Sequence, residues 1–269
     1  AGADMAAVSL HKTGGSLTQS SLLLDGSGMA EQAGYIRQII NLTQTTSASY
    51  LLMSSLDITR RMLALEGKRI YDRVVEMADY GRQEINRIGG FYAFGQEELD
   101  GDAFYGFDAT KLSIHTRSMG LAGIEVYDIL RDDYDIQIEF GDLGNILAII
   151  SVGDRPAAME RLLAALTEIY RTERKDPAGM LSNEYIEPHV LMTPREAFYS
   201  KQRAVPLDAS LGAVSAEFVM CYPPGIPILA PGEQVTQEAL DYIRYAQAKG
   251  SSMTGTEDLT LRLLNVVDA

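Results

Sequence analysis

The 269-residue sequence predicts an α/β fold for its first third, followed by α+β structure. Two short apolar runs flank a glycine-containing loop near the N-terminus, and helical apolar spacing then extends to residue 88. A strand, helix, strand, strand, helix order follows between residues 111 and 174. A hydrophobic content of 46% is sufficient for two modest cores.

The first third of the chain predicts two strands and three helices. Gly67 is expected to separate the second helix from the third, and Gly89-Gly90 to end the third. The predicted elements are strands at Met5–Val8 and 21–24 and helices at 30–41, from a Ser47 or Ser49 cap to about Leu65, and at 68–88.

The rest of the chain predicts a second kind of pattern. Residues 174–179 are polar and typical of a linker. The segment 222–227 carries three prolines without N–H donors, which predicts a rigid extended loop and not a central strand. The elements expected before the linker are strands at 111–114, 136–140 and 145–150 and helices at 121–132 and 156–174.

Composition limits the function classes. A net charge of −14 and a pI near 4.6 argue against a nucleic-acid-binding protein, which needs a basic surface. Cys221 is the single cysteine, so an intramolecular disulfide is excluded and a reducing compartment is expected. The sequence contains neither an apolar run of membrane-spanning length nor a charged and then apolar leader. We expect a cytoplasmic protein without membrane contacts.

The most informative segment surrounds Lys12 and reads SLHKTGGSLTQSS from residue 9 to residue 21. A lysine amine condenses with an aldehyde only when it is neutral, and the apolar strand before the segment would supply desolvation. Ser9 and His11 add a hydroxyl and an imidazole that suit a phosphate dianion. Gly14 and Gly15 allow a sharp turn. The pattern predicts the cofactor lysine of a pyridoxal-phosphate enzyme.

Two other interpretations of this segment are weaker. A phosphate-binding P-loop places its lysine after the glycines, whereas Lys12 precedes them. An ordinary exposed turn explains one His-Lys pair but not the length of the pattern.

The segment resembles the attachment-site signature of the ornithine/lysine/arginine decarboxylases, a family of pyridoxal-phosphate enzymes of fold type I. Segments 42–57 and 204–233 also resemble this family, the second matching its C-terminal domain. The specified positions of the signature are occupied here by Ser9, His11, Lys12, Gly15, Ser16, Thr18, Gln19, Ser20 and Ser21.

The resemblance implies a fold and a site. Residues 1–90 would be the C-terminal part of an aspartate-aminotransferase-like large domain, 91–176 an α+β small domain and 177–269 the decarboxylase-type C-terminal domain. Lys12 would bind pyridoxal 5′-phosphate covalently and later donate a proton, while Ser9 and His11 would anchor the phosphate.

The resemblance also implies missing parts. The family holds the pyridine nitrogen with an aspartate on a strand upstream of the lysine, and Asp4, the only acid before Lys12, does not match that position. We therefore expect a separate or missing N-terminal part of the same enzyme as a partner. A homodimer or higher oligomer is expected, as in the family.

The implied activity is decarboxylation of a basic amino acid for polyamine biosynthesis. Arginine is favoured because the chain after Lys12 is short, as in the compact group of the family, and lysine and ornithine remain alternatives. Two rival interpretations are another fold-type I enzyme, such as a cysteine desulfurase, and a non-catalytic subunit or pseudoenzyme. Glu217 and Glu233 are left open between a substrate-pocket role and structural packing.

The other polar candidates predict no metal site. His115 and His189 are placed too differently from His11 to form a zinc site. The acidic run 97–102 lacks the spacing of a calcium loop and is interpreted as a solvated loop.

Overall fold

The computed structural model describes residues 3–178, 180, 181, 186–222 and 225–268. The chain divides into two compact units, Ala1–Met77 with Ile150–Arg155 and Ala78–Ile149 with Pro156–Ala269. Mixed helix and sheet confirm the α/β character of the chain. The predicted domain boundaries after residues 90 and 176 stay a prediction.

The first unit begins with a two-stranded antiparallel sheet. Strand β1 (Met5–Val8) pairs with β2 (Leu22–Asp25), with Val8 opposite Leu22, and the one-turn helix α1 (Leu10–Thr13) lies between them in sequence. The predicted strand at Met5–Val8 is confirmed, and the second strand is shifted by one residue. The expected burial of β1 is wrong for this chain, because its residues are exposed or half-buried.

Two helices follow this sheet. A 3-10 turn (Ser27–Gln32) leads into α2 (Ala33–Thr43), which has no buried residue. Next comes α3 (Tyr50–Ile88), one continuous helix of 39 residues. Its length corresponds to about 58 Å.

The predicted break at Gly67 is wrong. A glycine inside a helix costs only about 1 kcal/mol relative to alanine, which the packing of a long amphipathic helix can override. A Cβ at this position would lie 3.7 Å from the Leu63 side chain, an ordinary contact. The predicted end is confirmed, since Gly89 and Gly90 have φ of +84° and +72°.

The second unit contains a four-stranded antiparallel sheet. Its strands are β3 (Tyr92–Ala93), β4 (Lys111–His115), β5 (Phe140–Gly141) and β6 (Asn145–Ile149), and the helices of this region are α4 (Gly123–Asp132) and α5 (Pro156–Thr172). The strand order is β3-β4-β6-β5, and buried residues alternate along β4 and β6, with Leu112, Ile114 and Ile146 fully buried.

The predicted strand at 136–140 is mostly wrong. The residues paired with β6 are Phe140 and Gly141, and the N–H of Glu139 donates to the carbonyl of Leu147 in β6 at 2.9 Å. Asp135 has φ of +54°, and the N–H of Ile136 donates to the carbonyl of Leu130 at 2.8 Å. The N–H of Ile136 therefore closes the end of α4 and does not pair with a neighbouring strand.

Arg82 on α3 is a buried cation that donates hydrogen bonds to main-chain carbonyls. Its guanidinium donates to the carbonyl oxygens of Phe94 at 2.9 Å, Ala109 at 3.2 Å and Lys111 at 3.1 Å. Its charge is paired with Asp79 at 2.5 Å. The Arg82 side chain therefore connects the residues that lead into β4 with α3.

The last third of the chain forms its own hydrophobic core. Its elements are α6 (Pro194–Tyr199), β7 (Gln202–Pro206), β8 (Val219–Tyr222), β9 (Ile226–Leu229), α7 (Gln237–Ala248), β10 (Ser252–Thr254) and β11 (Leu263–Val267). Strand β8 is the middle strand of the sheet β10-β8-β9, and β7 pairs with β11. Buried residues of these strands and of α7 form one cluster that includes Val219, Ile243 and Leu264.

The predicted extended loop at 222–227 is corrected by this sheet. Tyr222 ends β8, and Ile226 begins β9, which pairs antiparallel with β8, so both described ends of the segment lie in strands. Pro227 lies in β9, an edge strand, where a missing N–H need not remove a ladder bond. Pro223 and Pro224 lie outside the described residues.

Glu125 joins three segments of the second unit. Its carboxylate accepts from the N–H of Ala122 at 2.8 Å at the start of α4, and it forms ion pairs with Lys175 at 3.2 Å and Lys249 at 3.0 Å. Burial alone would raise the pKa of this carboxyl, but the three hydrogen bonds outweigh it and hold the pKa below its ordinary value of 4.5. The ionised form is therefore the one that stabilises the fold.

Replacing Glu125 by glutamine should lower the free energy of unfolding by about 2 kcal/mol at pH 7, because two charge-assisted contacts are lost. Urea unfolding of both proteins measures the difference. Since the folded pKa is depressed, the stabilisation is complete above pH 4.5 and is lost as the pH falls through the folded value. The exposed pair of Glu168 with Arg171, 3.9 Å apart, supplies the control, and Glu168→Gln should change stability little. A pH-independent difference for Glu125→Gln would contradict this account.

Candidate active site

Lys12 lies on a single helical turn directly after β1. The turn is closed by hydrogen bonds from the N–H of Lys12 to the carbonyl of Ser9 at 3.1 Å and from the N–H of Gly14 to that of Leu10 at 2.9 Å. The side chains of Lys12 and Ser9 are exposed, His11 is half-buried and Leu10 is buried. The three predicted site residues are therefore adjacent on one turn, with the lysine amine facing outward.

The turn requires glycine at its exit. A Cβ on Gly14 would lie 2.5 Å from Cδ1 of Leu10 and 2.7 Å from the carbonyl oxygen of Leu10, closer than side-chain carbons approach. Gly15 has φ of +93°, a backbone conformation that other residues rarely adopt. The sharp turn predicted from these residues is present.

A compact hydrogen-bonded loop follows the turn. Nδ1 of His11 contacts the carbonyl oxygen of Ser20 at 2.6 Å, and the hydroxyls of Ser16 and Ser20 are 2.6 Å apart. The Ser20 hydroxyl donates to the carbonyl of Leu17 at 2.5 Å. Gln19 adopts φ of +66°, which is uncommon for a residue other than glycine. The signature serines thus shape the loop that faces His11.

Helix α3 holds this region at two places. The hydroxyl of Tyr71 donates to the carbonyl of Thr13 at 2.9 Å, and the hydroxyl of Ser55 accepts from the N–H of Leu17 at 3.2 Å. Tyr71 was not identified from the sequence, because a partner 58 residues away leaves no local pattern. Ser55 lies within the segment 42–57, whose resemblance to the decarboxylase family was the sequence signal that this residue could belong to the site.

Asp4 lies at the other end of β1 from the lysine turn. The four residues of the strand separate the two by about 13 Å. The main-chain carbonyl of Asp4 accepts from the N–H of Gly26 at 2.8 Å, next to the pairing of Met5 with Asp25. This position gives Asp4 a role at the end of the sheet and no contact with the lysine turn.

Cys221 has the environment of an unreactive thiol. It lies in β8 with Sγ 3.7 Å from Sδ of Met253. Burial raises the pKa of the thiol to about 11, so very little thiolate forms at neutral pH. This disfavours the desulfurase interpretation, which needs a nucleophilic cysteine.

Glu217 and Glu233 both bind main-chain donors. Glu217 accepts from the N–H groups of Glu257 at 2.7 Å and Asn265 at 2.9 Å, beside a cleft of about 260 Å³. Glu233 accepts from the N–H of Ala230 at 2.9 Å. These contacts favour structural packing over substrate binding for the two glutamates.

The remaining polar candidates serve local structure. Nδ1 of His115 lies 3.3 Å from Oδ1 of Asn145 across β4 and β6. In the acidic run, the carboxylate of Asp100 accepts from the N–H groups of Asp102, Ala103 and Phe104, which closes the loop. Over the described residues, no group of three or more His, Cys, Asp and Glu converges on a point that would hold a metal.

No helix in the described parts of the chain has the length and apolar character needed to cross a membrane.

The fold matches solved structures of known decarboxylases. The constitutive lysine decarboxylase of Escherichia coli superimposes with a TM-score of 0.75 at 22% identity, covering 98% of this chain and 49% of that one. The lysine decarboxylase of Francisella novicida gives a TM-score of 0.76 at 20% identity, covering 97% and 48%. The chain therefore has the fold of part of a lysine decarboxylase.

Sequence comparison defines the family. The model "Orn/Lys/Arg decarboxylase, major domain" matches residues 3–158, and "Orn/Lys/Arg decarboxylase, C-terminal domain" matches residues 179–259. The chain belongs to the Orn/Lys/Arg decarboxylase family, which confirms the resemblance seen around Lys12.

Curated relatives extend over nearly the whole chain. The arginine decarboxylase of Bacillus subtilis is 42% identical over 270 residues, covering 99% of this chain and 55% of the relative. That of Halalkalibacterium halodurans is 43% identical over 272 residues, with the same coverage. The constitutive lysine decarboxylase of Escherichia coli is 26% identical over 331 residues, covering 93% and 46%. The chain thus spans about half the length of the curated relatives it matches.

Tyr71→Phe should loosen the lysine turn without unfolding the chain, because it removes one hydrogen bond worth about 1 kcal/mol from a half-buried carbonyl. Hydrogen–deuterium exchange of residues 10–20 should accelerate roughly five-fold.

The control for this change is Tyr35→Phe on α2, where the side chain is 67% exposed and exchange at residues 10–20 should stay at the wild-type rate. Equal exchange in the Tyr71→Phe protein and the wild type would show that the contact does not hold the turn.

Proposed function

We propose that this chain is the lysine-bearing part of a cytoplasmic, pyridoxal-phosphate-dependent decarboxylase of a basic amino acid. Arginine is the favoured substrate, followed by lysine and ornithine, and the amine product would enter polyamine biosynthesis. The observation that carries this proposal is the sequence identity of 42–43% to two arginine decarboxylases over 99% of the chain. The complete signature around Lys12 supports the same activity.

The proposed architecture is that of fold type I. Residues 1–90 would form the C-terminal part of the large domain, 91–176 the small domain and 177–269 the C-terminal domain. The start of the second family match at residue 179 supports the last of these boundaries. The strand, lysine turn and strand at the beginning of the chain support the first assignment.

The residues of the lysine turn fit pyridoxal 5′-phosphate. Lys12 offers an exposed amine for covalent attachment, and the exposed hydroxyl of Ser9 lies three residues away on the same turn, where it can donate to a phosphate oxygen. His11, at the edge of this surface, would be the second phosphate donor. When bound, the cofactor supplies an electron-accepting ring that stabilises the charge left by departing CO2. The amine of Lys12, once released, would deliver the proton to the substrate α-carbon.

A partner segment is part of the proposal. The surface of the first unit exposes apolar side chains at helical spacing, including Leu51, Ile58 and Leu65 of α3, each about 70% exposed. Among the described residues, the sheet β1-β2 has two strands, which is marginal without cover. We propose that the N-terminal part of the same enzyme covers this surface and supplies the upstream aspartate. A homodimer, in which both subunits build each site, is proposed from the family.

Lys12 should be the only lysine that becomes labelled when the chain, assembled with its N-terminal part, is treated with pyridoxal phosphate and then borohydride. Peptide mass spectrometry locates the adduct. Lys12→Ala should abolish the adduct and lower kcat by about 10³-fold. Lys68→Ala, which removes an exposed lysine of α3, is the control and should keep both the Lys12 adduct and the wild-type kcat. An adduct elsewhere, or none, would refute the proposed cofactor site.

Release of CO2 from arginine, lysine and ornithine, measured side by side with this assembly, tests the substrate. Arginine should have a kcat/KM at least about ten-fold above the other two, which corresponds to about 1.4 kcal/mol of transition-state preference. A higher value for lysine or ornithine would reassign the substrate. Labelling of Lys12 without CO2 release from any of the three would support the non-catalytic interpretation instead.

A further inference from the structure

The ring of His11 is held by a main-chain carbonyl. Nδ1 lies 2.6 Å from the carbonyl oxygen of Ser20, and His11 is half-buried. Because a carbonyl oxygen only accepts hydrogen bonds, Nδ1 must carry the proton in this contact. A neutral imidazole has a single N–H, so its other nitrogen, Nε2, keeps a lone pair.

Ser20, the residue that presents this carbonyl, is held in turn by two hydrogen bonds of its side-chain hydroxyl. The Ser20 hydroxyl donates its only hydrogen to the carbonyl of Leu17 at 2.5 Å. In the 2.6 Å contact between Ser16 and Ser20, the hydroxyl of Ser16 is therefore the donor. Ser16 and Ser20 are only 9% and 3% exposed, so water has little access to either group. Gln19, in its left-handed conformation, completes the turn that presents the carbonyl.

We propose that Ser16 and Ser20 are positioning residues that fix His11 as the Nδ1–H tautomer and make Nε2 the nitrogen that faces a ligand. Neutral histidine in water exchanges between its two tautomers and favours the Nε2–H form. The loop therefore selects the form that is less populated in solution.

This inference deepens the proposed function. Its consequence for cofactor binding rests on that function. With Nδ1 committed to Ser20, the ring can donate from Nε2 to a phosphate oxygen only as an imidazolium. A neutral ring would present a lone pair to the anion instead. Ser20 thereby determines which charge state of His11 can anchor a phosphate on the lysine turn.

Long-range proton–nitrogen correlation spectra of the full chain, labelled with ¹⁵N-histidine, test the proposal directly. The sequence has three histidines, and His115→Gln and His189→Gln assign the signals of His11 by elimination. At about pH 8.5, two units above the ordinary histidine pKa, we expect a pyrrole-type Nδ1 and a pyridine-type Nε2 for His11. A wild-type spectrum with the opposite pattern would overturn the proposal.

Variants test the role of the hydroxyls. Ser20→Ala should move most of the neutral His11 population to the Nε2–H form, whereas Ser21→Ala, at an exposed neighbouring serine, should leave the spectrum unchanged. If the Ser20→Ala chain does not fold, Ser16→Ala removes one of the two contacts and should give a mixture of tautomers. A wild-type tautomer in every folded serine variant would show that the hydroxyls do not position the ring. The spectra require no cofactor, so a failed labelling of Lys12 would refute the proposed function and leave this inference standing.

Discussion

The attachment of the lysine turn to α3 is the constraint on which the candidate site depends. The turn has one buried side chain of its own, Leu10, and is too short to be stable alone. The hydrogen bond from Tyr71 to Thr13 fixes its exit, and Ser55 fixes the loop that follows. The placement of the Lys12 amine is therefore a property of the long helix as much as of the signature itself.

The same helix uses a different device further along. Arg82 gathers three main-chain carbonyls of the segments that lead into β4, because a buried guanidinium must satisfy its donors and these carbonyls need partners. A helix of 39 residues thus organises chain segments through hydrogen bonds at separated points. An interruption at Gly67 would have divided these tasks between two independent elements.

The sequence was sufficient where local chemistry decides the structure. Met5–Val8, the helix beginning at Pro156 and the stop at Gly89-Gly90 follow from apolar spacing and glycine conformation. It was insufficient where a distant partner decides. The donor of Ile136 is used by α4, and Tyr71 meets a carbonyl 58 residues away. The lysine turn was predicted as a cofactor site from its residue types, whereas the hydrogen bonds between His11 and the loop that follows leave no pattern in the sequence.

Cys221 has a practical consequence for solution studies. It is the single thiol of the chain, and burial keeps it protonated at neutral pH. A cysteine introduced at an exposed position would therefore react selectively with maleimide probes, because the protonated Cys221 thiol reacts slowly. Spin labels or fluorophores can be attached to α2 or α3 in the natural background, without first replacing a residue of the β8 core.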